Sequence, residues 1–195
     1  MPKSNRDRSS ARANRHVARR RSPTQRDEGF LFDLVERTRP VFLLVLDQIQ
    51  DPHNLGACMR TANAAGIHAV VAPADRSAPL SETVRRIACG GADYTPYVQV
   101  TNLARTMETL KNAGVWCVGT DDNAEQIIYD VDLTGPLAIV VGSEGTGLRR
   151  LTKDQCDFLV QVPMSGRVEC LNVSVAAGVC LFEAVRQRQL RPQTK

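Results

Sequence analysis

Strand-like and helix-like stretches alternate along most of this chain, and that alternation limits the fold more than any other feature of the sequence. Residues 41–46, VFLLVL, form a continuous apolar run, the pattern of a strand buried on both faces. Residues 47–54 are polar. Residues 55–65 have helical spacing, with Asn54 placed to cap the helix and Gly66 placed to end it. The alternation continues with a strand over 67–72, a helix from Ser81 to residue 88 closed by Gly90 and Gly91, a strand over 97–100, a helix from Asn102 to Gly114, and a strand over 115–119. Strands over 137–141 and 157–162 flank a glycine-rich loop and a short helix beginning at Thr152; Pro163 ends the last strand by removing a ladder donor. From Asn172, Val173, Ala176, Ala177, Cys180, Leu181, Ala184 and Val185 recur at helical spacing, so a buried helix follows. The expectation is an α/β fold, a parallel sheet flanked by helices on both faces, with ligands at the carboxyl ends of the strands.

At 195 residues the chain is long enough for one well-buried core and a small appendage. No apolar run approaches the roughly eighteen residues of a membrane span, so a soluble protein with no membrane partner is expected. Cys58, Cys89, Cys117, Cys156, Cys170 and Cys180 include no CxxC pair, and His16, His53 and His68 are too scattered to form a ligand set. This usage points to reduced thiols in a cytoplasmic protein, with neither a disulfide framework nor a metal site.

Charge is concentrated at one end. Residues 1–40 hold 11 of the 25 Lys and Arg and 5 of the 21 Asp and Glu, net +6; the rest, with 14 basic and 16 acidic residues, carries −2. Residues 1–26 have almost no large apolar side chain and are expected to be disordered. A run such as Arg15, Arg19, Arg20 and Arg21 attracts polyanions without reading sequence, RNA being the cytosolic candidate, and a merely solubilising tail accounts for it equally well. The absence of an apolar Leu/Phe face argues against a mitochondrial transit peptide. Residues 28–37 have room for one or two helical turns. The chain thus divides into a basic segment over 1–40, a body over 41–190 and a tail over 191–195.

Three loops hold more polar groups than a connection needs. In the first, residues 51–60 (DPHNLGACMR), Gly56 and Arg60 lie one turn apart on one helix face with Asn54 at its mouth; the glycine admits a ligand or a backbone, and Arg60 offers a bidentate fork to a phosphate. The second, GSEGTGLR at 142–149, leaves a buried strand with three glycines that permit positive φ and close approach to a cofactor. It is neither a Walker A loop nor a GxGxxG turn opening a long helix, which argues against ordinary nucleotide binding and against a Rossmann oxidoreductase. A carboxylate at Glu144 would repel a phosphate and suits a neutral or cationic partner. The third, residues 163–172, carries Ser165, Gly166, Arg167, Glu169, Cys170 and Asn172 between the last strand and the last helix. Taken singly, each reads better as a solvated loop beside a capped helix. Together they supply an Arg, a carboxylate and two Asn, with no metal set and no Ser-His-Asp arrangement.

The stretches DPHNLGACMRTANAAG, IVVGSEGTGLRRL and VPMSGRVECLNVSVAAGVCLFEAVRQR resemble, in order and spacing, the three motifs of the SpoU (TrmH) family of RNA 2′-O-ribose methyltransferases, within a similarity covering residues 41–188. Within that family the chain is most similar to bacterial enzymes that methylate a guanosine ribose in 23S ribosomal RNA. The resemblance implies a SPOUT-type fold with a C-terminal trefoil knot, S-adenosyl-L-methionine as methyl donor, and a homodimer whose active site takes residues from both subunits. It implies catalytic roles for Asn54 and Arg60 of the first motif, Glu144 of the second, and Asn172 and Ser174 of the third, with the cofactor against Gly142, Gly147, Val162, Met164 and Leu171. On this reading Arg60 orients an RNA phosphate and stabilises the forming alkoxide, while Asn54, Glu144 and Asn172 fix Arg60 and the ribose. Two departures stand out: many relatives have serine where this chain has Cys170, and close relatives carry a small N-terminal RNA-binding domain where this chain has its basic head. The implied function is 2′-O-methylation of a ribose in ribosomal RNA, with transfer RNA as another substrate and non-catalytic RNA binding as the reading from a different class.

Overall fold

Side chains alternate across a strand, so the uninterrupted apolar run at residues 41–46 obliges the fold to cover both faces of its sheet. The computed structural model, which describes residues 25–190, shows how. Its elements in chain order are β1 (Gln25–Arg26), α1 (Glu28–Arg37), β2 (Phe42–Asp47), α2 (Pro52–Ala64), β3 (Ala69–Pro73), α3 (Glu82–Ile87), α4 (Gly91–Tyr94), β4 (Tyr97–Val100), α5 (Leu103–Asn112), β5 (Trp116–Thr120), β6 (Gln126–Ile127), a 3-10 turn (Ile128–Asp130), β7 (Leu137–Gly142), α6 (Arg150–Lys153), β8 (Phe158–Gln161) and α7 (Val173–Leu190). The eight strands form one sheet in the order β1-β4-β3-β2-β7-β5-β8-β6, with every pairing parallel. Phe42, Leu44 and Leu46 of β2 pack beneath Leu55, Met59 and Ala62 of α2 and Ala177, Cys180 and Leu181 of α7. Leu43 and Val45 face the other way, toward Leu31 and Val35 of α1 and Met107 and Leu110 of α5. The expected parallel α/β sheet is therefore present, and among the described residues no helix is long and apolar enough to cross a membrane.

Helix caps follow local chemistry. Asp27, Ser81 and Asn102 each accept a backbone N–H three residues on, at the starts of α1, α3 and α5. The expected cap of α2 is corrected: Asp51 accepts from His53 N–H and Pro52 takes the first helical position, where its fixed φ suits the helix and its missing N–H costs nothing. Asn54 thus lies inside the first turn with its amide released for other use. Of the two uses expected for Gly56, approach of a ligand or of a backbone, the structure shows the second. A Cβ there would sit 2.7 Å from Ile87 Cβ and 3.0 Å from the Val84 carbonyl, so the glycine admits α3 rather than a ligand. α6 begins at Arg150, before the expected Thr152, and the single-turn α4 was not anticipated.

Ordered structure also precedes residue 41. Gln25 and Arg26 pair with Tyr97 and Val98 at the sheet edge, and α1 packs Leu31 and Val35 into the core. The remainder of the segment expected to be disordered, residues 1–24, and the tail at 191–195 lie outside the described residues. At the opposite end of the sheet from its carboxyl edge, Arg188 of α7 donates to the Leu133 and Gly135 carbonyls at 3.2 and 2.8 Å and stacks 4.0 Å over the Phe42 ring, tying α7 to the start of β2. Beside it, Phe42 N–H donates to His68 Nδ1 at 2.9 Å. Burial pushes the Cys58, Cys117, Cys156 and Cys180 thiols up to about 12, so these four remain thiols.

Two outcomes follow from this packing. Gly56→Ala forces α3 away from α2 and is expected to cost about 1–3 kcal/mol in urea unfolding. Burial pulls the His68 pKa below its ordinary value, Arg188 acts in the same direction, and the Phe42 N–H requires the lone pair of the neutral ring. The unfolded chain therefore binds the His68 proton more readily, and stability falls as pH drops below about 7 through the unfolded value near 6.5. His68→Asn keeps an acceptor at that position without titrating, so unfolding midpoints measured from pH 7.5 down to 5.5 are expected to fall less steeply in the variant.

Candidate active site

The strand order brings the carboxyl ends of β2, β7, β5 and β8 side by side, and the three polar loops of the sequence leave from that edge or return to it. Between them is a cleft of about 230 Å³. All five residues expected to meet a cofactor, Gly142, Gly147, Val162, Met164 and Leu171, line it. So do Thr120 at the end of β5, Asp122 beyond it, and Ala176 of α7, which sequence reasoning missed. Position at a carboxyl strand end was the available signal for Thr120; nothing in the sequence pointed to Asp122 or Ala176. Asp122, Glu144 and Glu169 give the lining three carboxylates, and among the described residues no Lys or Arg belongs to it. Such a lining disfavours phosphate and suits a cationic ligand.

The glycine loop folds back on its own strand. A Cβ at Gly142 would lie 2.1 Å from the carbonyl carbon of Gly147, so no side chain is possible there while the loop keeps this shape. Gly145 and Gly147 take φ of 80° and 63°, the left-handed region in which glycine is unstrained. Gly147 N–H returns to the Ser143 carbonyl at 2.9 Å, and the Ser143 and Thr146 hydroxyls meet at 2.6 Å. The compact turn presents Glu144 to the helix ends opposite.

Glu144 is where the three motifs meet. Its Oε1 accepts from Asn172 Nδ2, from Val173 N–H at 3.2 Å and from Asn54 Nδ2 at 3.3 Å. Asn172 Nδ2 also donates to Asn54 Oδ1 at 3.0 Å. Asn172 caps α7: its Oδ1 accepts the Ser174 N–H at 3.0 Å and the Ser174 hydroxyl at 2.6 Å. Asn54, Glu144, Asn172 and Ser174 thus form one connected polar group at the mouths of α2 and α7, and each donor fixes its neighbour's rotamer.

Arg60 is not part of it. Six residues beyond Asn54, it lies about 9 Å farther along α2 and about 240° around the axis. Its side chain is exposed, with no hydrogen bond or ion pair among the described residues. Within one chain Asn54, Glu144 and Asn172 hold one another. α7 carries exposed Val175 and Phe182, seven residues apart and hence on one face, near exposed Val168 of the last loop in sequence.

Residues 41–182 match the SpoU rRNA Methylase family. The chain is 61% identical over 165 residues to the 23S rRNA (guanosine-2′-O-)-methyltransferase RlmB of Pseudomonas putida, covering 84% of this chain and 66% of that protein. It is 55% identical over 172 residues to the protein of the same name from Vibrio parahaemolyticus, covering 88% and 70%. The chain thus spans about two thirds of the length of such relatives. Among solved structures it is similar to the SpoU methyltransferase AviRb from Streptomyces viridochromogenes in complex with AdoMet, with a TM-score of 0.74, 28% identity, and coverage of 80% of this chain and 64% of that one. It is also similar to the A. aeolicus TrmH/SpoU tRNA modifying enzyme, with a TM-score of 0.71, 29% identity, and coverage of 83% and 82%. With its three motifs gathered at one cleft and matches extending over most of its length, the chain belongs to the SpoU rRNA methylase family.

Proposed function

We propose that the protein methylates the 2′-hydroxyl of a ribose, that of a guanosine, in ribosomal RNA, using S-adenosyl-L-methionine. The observation that carries this reading is the convergence of Asn54, Glu144 and Asn172, one from each motif, beside a cleft lined by acidic side chains and glycine backbone. The cleft's chemistry fits the cofactor: Gly142, Gly147, Val162, Met164 and Leu171 would hold it, and Glu144, Asp122 and Glu169 complement a cation. When bound, the cofactor supplies an electrophilic sulfonium methyl with a neutral leaving group, a transfer that calls for no metal. The remaining difficulty lies with the sugar hydroxyl, which hardly ionises at neutral pH and must lose its proton as it attacks. Orientation and nearby positive charge therefore dominate the demand on the protein. Arginine is too weak a base to take that proton unaided, so Arg60 serves by orienting an RNA phosphate and stabilising the developing alkoxide. The higher identity to relatives named for 23S rRNA than to the tRNA modifying enzyme favours ribosomal over transfer RNA.

The enzyme acts as a homodimer. Exposed Val168, Val175 and Phe182 offer an apolar face for a second copy, and Arg60, too far around α2 to join its own polar group, is supplied to the partner's site. The same reading assigns the catalytic domain to the body of the chain up to residue 190, a C-terminal trefoil knot formed as the chain passes from β8 through residues 162–172 into α7, and a cytoplasmic location where ribosomal RNA is made.

Calorimetric titration of the protein with S-adenosyl-L-methionine is expected to give a Kd of order micromolar. Glu144→Ala, which strands the Val173 N–H and the Asn172 amide, is expected to weaken it by about tenfold or more. Binding with label transfer to 23S rRNA and not to transfer RNA supports the reading; no binding by folded protein, with or without RNA, transfers the assignment to a non-catalytic RNA binder. Sharing of the site is tested by complementation. Arg60→Ala and Glu144→Ala homodimers are each expected to be inactive, with cofactor binding retained in the former. Mixed and exchanged in equal amounts, they are expected to regain about a quarter of parental activity, because half the dimers then hold one intact site. Recovery of none would place Arg60 in its own subunit's site.

A further inference from the structure

Asp47 is the last residue of β2, and its carboxylate is fully buried. All its side-chain partners among the described residues belong to Arg149, on the far side of the glycine loop. Oδ1 accepts from Arg149 Nε at 2.8 Å and forms an ion pair with Nη2 at 2.7 Å, and Oδ2 accepts the Arg149 backbone N–H at 3.0 Å. The backbone of the same residue is in register with Gly142, where the loop begins. One residue therefore holds both ends of the loop, and Glu144 lies between the two anchors. The next residue, Gln48, takes a φ of 63°, costly for a residue other than glycine, and opens the connection to Asp51 and Asn54. Two of the three segments that meet at Glu144, the one that carries it and the one that delivers Asn54, are thus launched from the same point.

A buried carboxylate met by a guanidinium fork and a backbone N–H is rigid, because loss of any donor leaves charge without compensation. The loop it closes contains three glycines and would otherwise sample many shapes. We propose that Asp47 and Arg149 are positioning residues of the active site: the pair sets the glycine loop so that Glu144 meets Asn54, Asn172 and Val173, and it affects methyl transfer through Glu144 without touching substrate. The effect on rate rests on the methyltransferase reading above; the effect on the loop does not.

The test joins amide hydrogen exchange on the ligand-free protein with a double-mutant cycle on methyl transfer. Arg149→Met is expected to accelerate exchange at residues 143–148 and 172–174 while β2 and β7 stay protected. It is also expected to lower kcat by about ten- to a hundredfold, with Arg149→Lys, which keeps the charge but not the fork, recovering part of the loss. If the pair acts through Glu144, the Arg149→Met, Glu144→Gln double variant is no slower than Glu144→Gln alone. Unchanged exchange at 143–148, or losses that multiply in the double variant, overturns the proposal. Should Arg149→Met fail to fold, the comparison of Arg149→Lys with the parent carries the exchange measurement. A parent that transfers no methyl group overturns the function proposed above, and the exchange arm still decides the positioning claim.

Discussion

The parallel ladder between β2 and β7 is the constraint on which the rest of the structure depends. It runs without interruption from Phe42 opposite Leu137 to Asp47 opposite Gly142. Because these strands are buried on both faces, a one-residue slip would exchange the sides of every apolar residue in them and bring Asp47 out of register with the glycine loop. The carboxyl end of the ladder is also where the chemistry is gathered. Gly142 turns the chain back on itself, Asp47 receives Arg149, and the connection from β2 delivers Asn54 at the mouth of α2. Packing of α2 and α7 over the same apolar face then sets their N-terminal ends beside each other, which allows Asn54 and Asn172 to share the carboxylate of Glu144.

Charge is divided between the cleft and its surroundings in a way that separates two tasks. The cleft is lined by carboxylates and backbone, while the arginine of the first motif stands apart on the exposed side of α2. A cationic methyl donor and a polyanionic RNA have opposite preferences, and one undivided pocket would serve both poorly. In the proposed homodimer, the second subunit would bring the acidic cleft and the arginine together.

Local chemistry carried much of this in readable form. The caps at Ser81, Asn102 and Asn172 were legible because a short polar side chain before an apolar helical run has few other uses. The glycine loop was legible because Gly142, Gly145 and Gly147 leave a strand too apolar to end by accident. Asn54 was misread as a cap because Asp51 and Pro52, three and two residues earlier, form a stronger start signal. The edge strands Gln25–Arg26 and Gln126–Ile127 were invisible because two residues carry no period. Asp47 looked like an ordinary loop residue, since its burial depends on Arg149, which lies 102 positions away.

Periodicity, capping and motif spacing were enough to give the parallel sheet covered on both faces, the positions of the three polar loops, the family, and the residue types available for binding and catalysis. All three act over a few residues or are matched one stretch at a time. Which polar residues meet emerged from long-range packing. Contact between Asn54, Glu144 and Asn172 spans separations of 90, 28 and 118 residues and depends on strand order and helix packing, which local patterns do not encode. For the same reason the structure alone packed Gly56 against α3: a helix face has no meaning until its neighbours are in place.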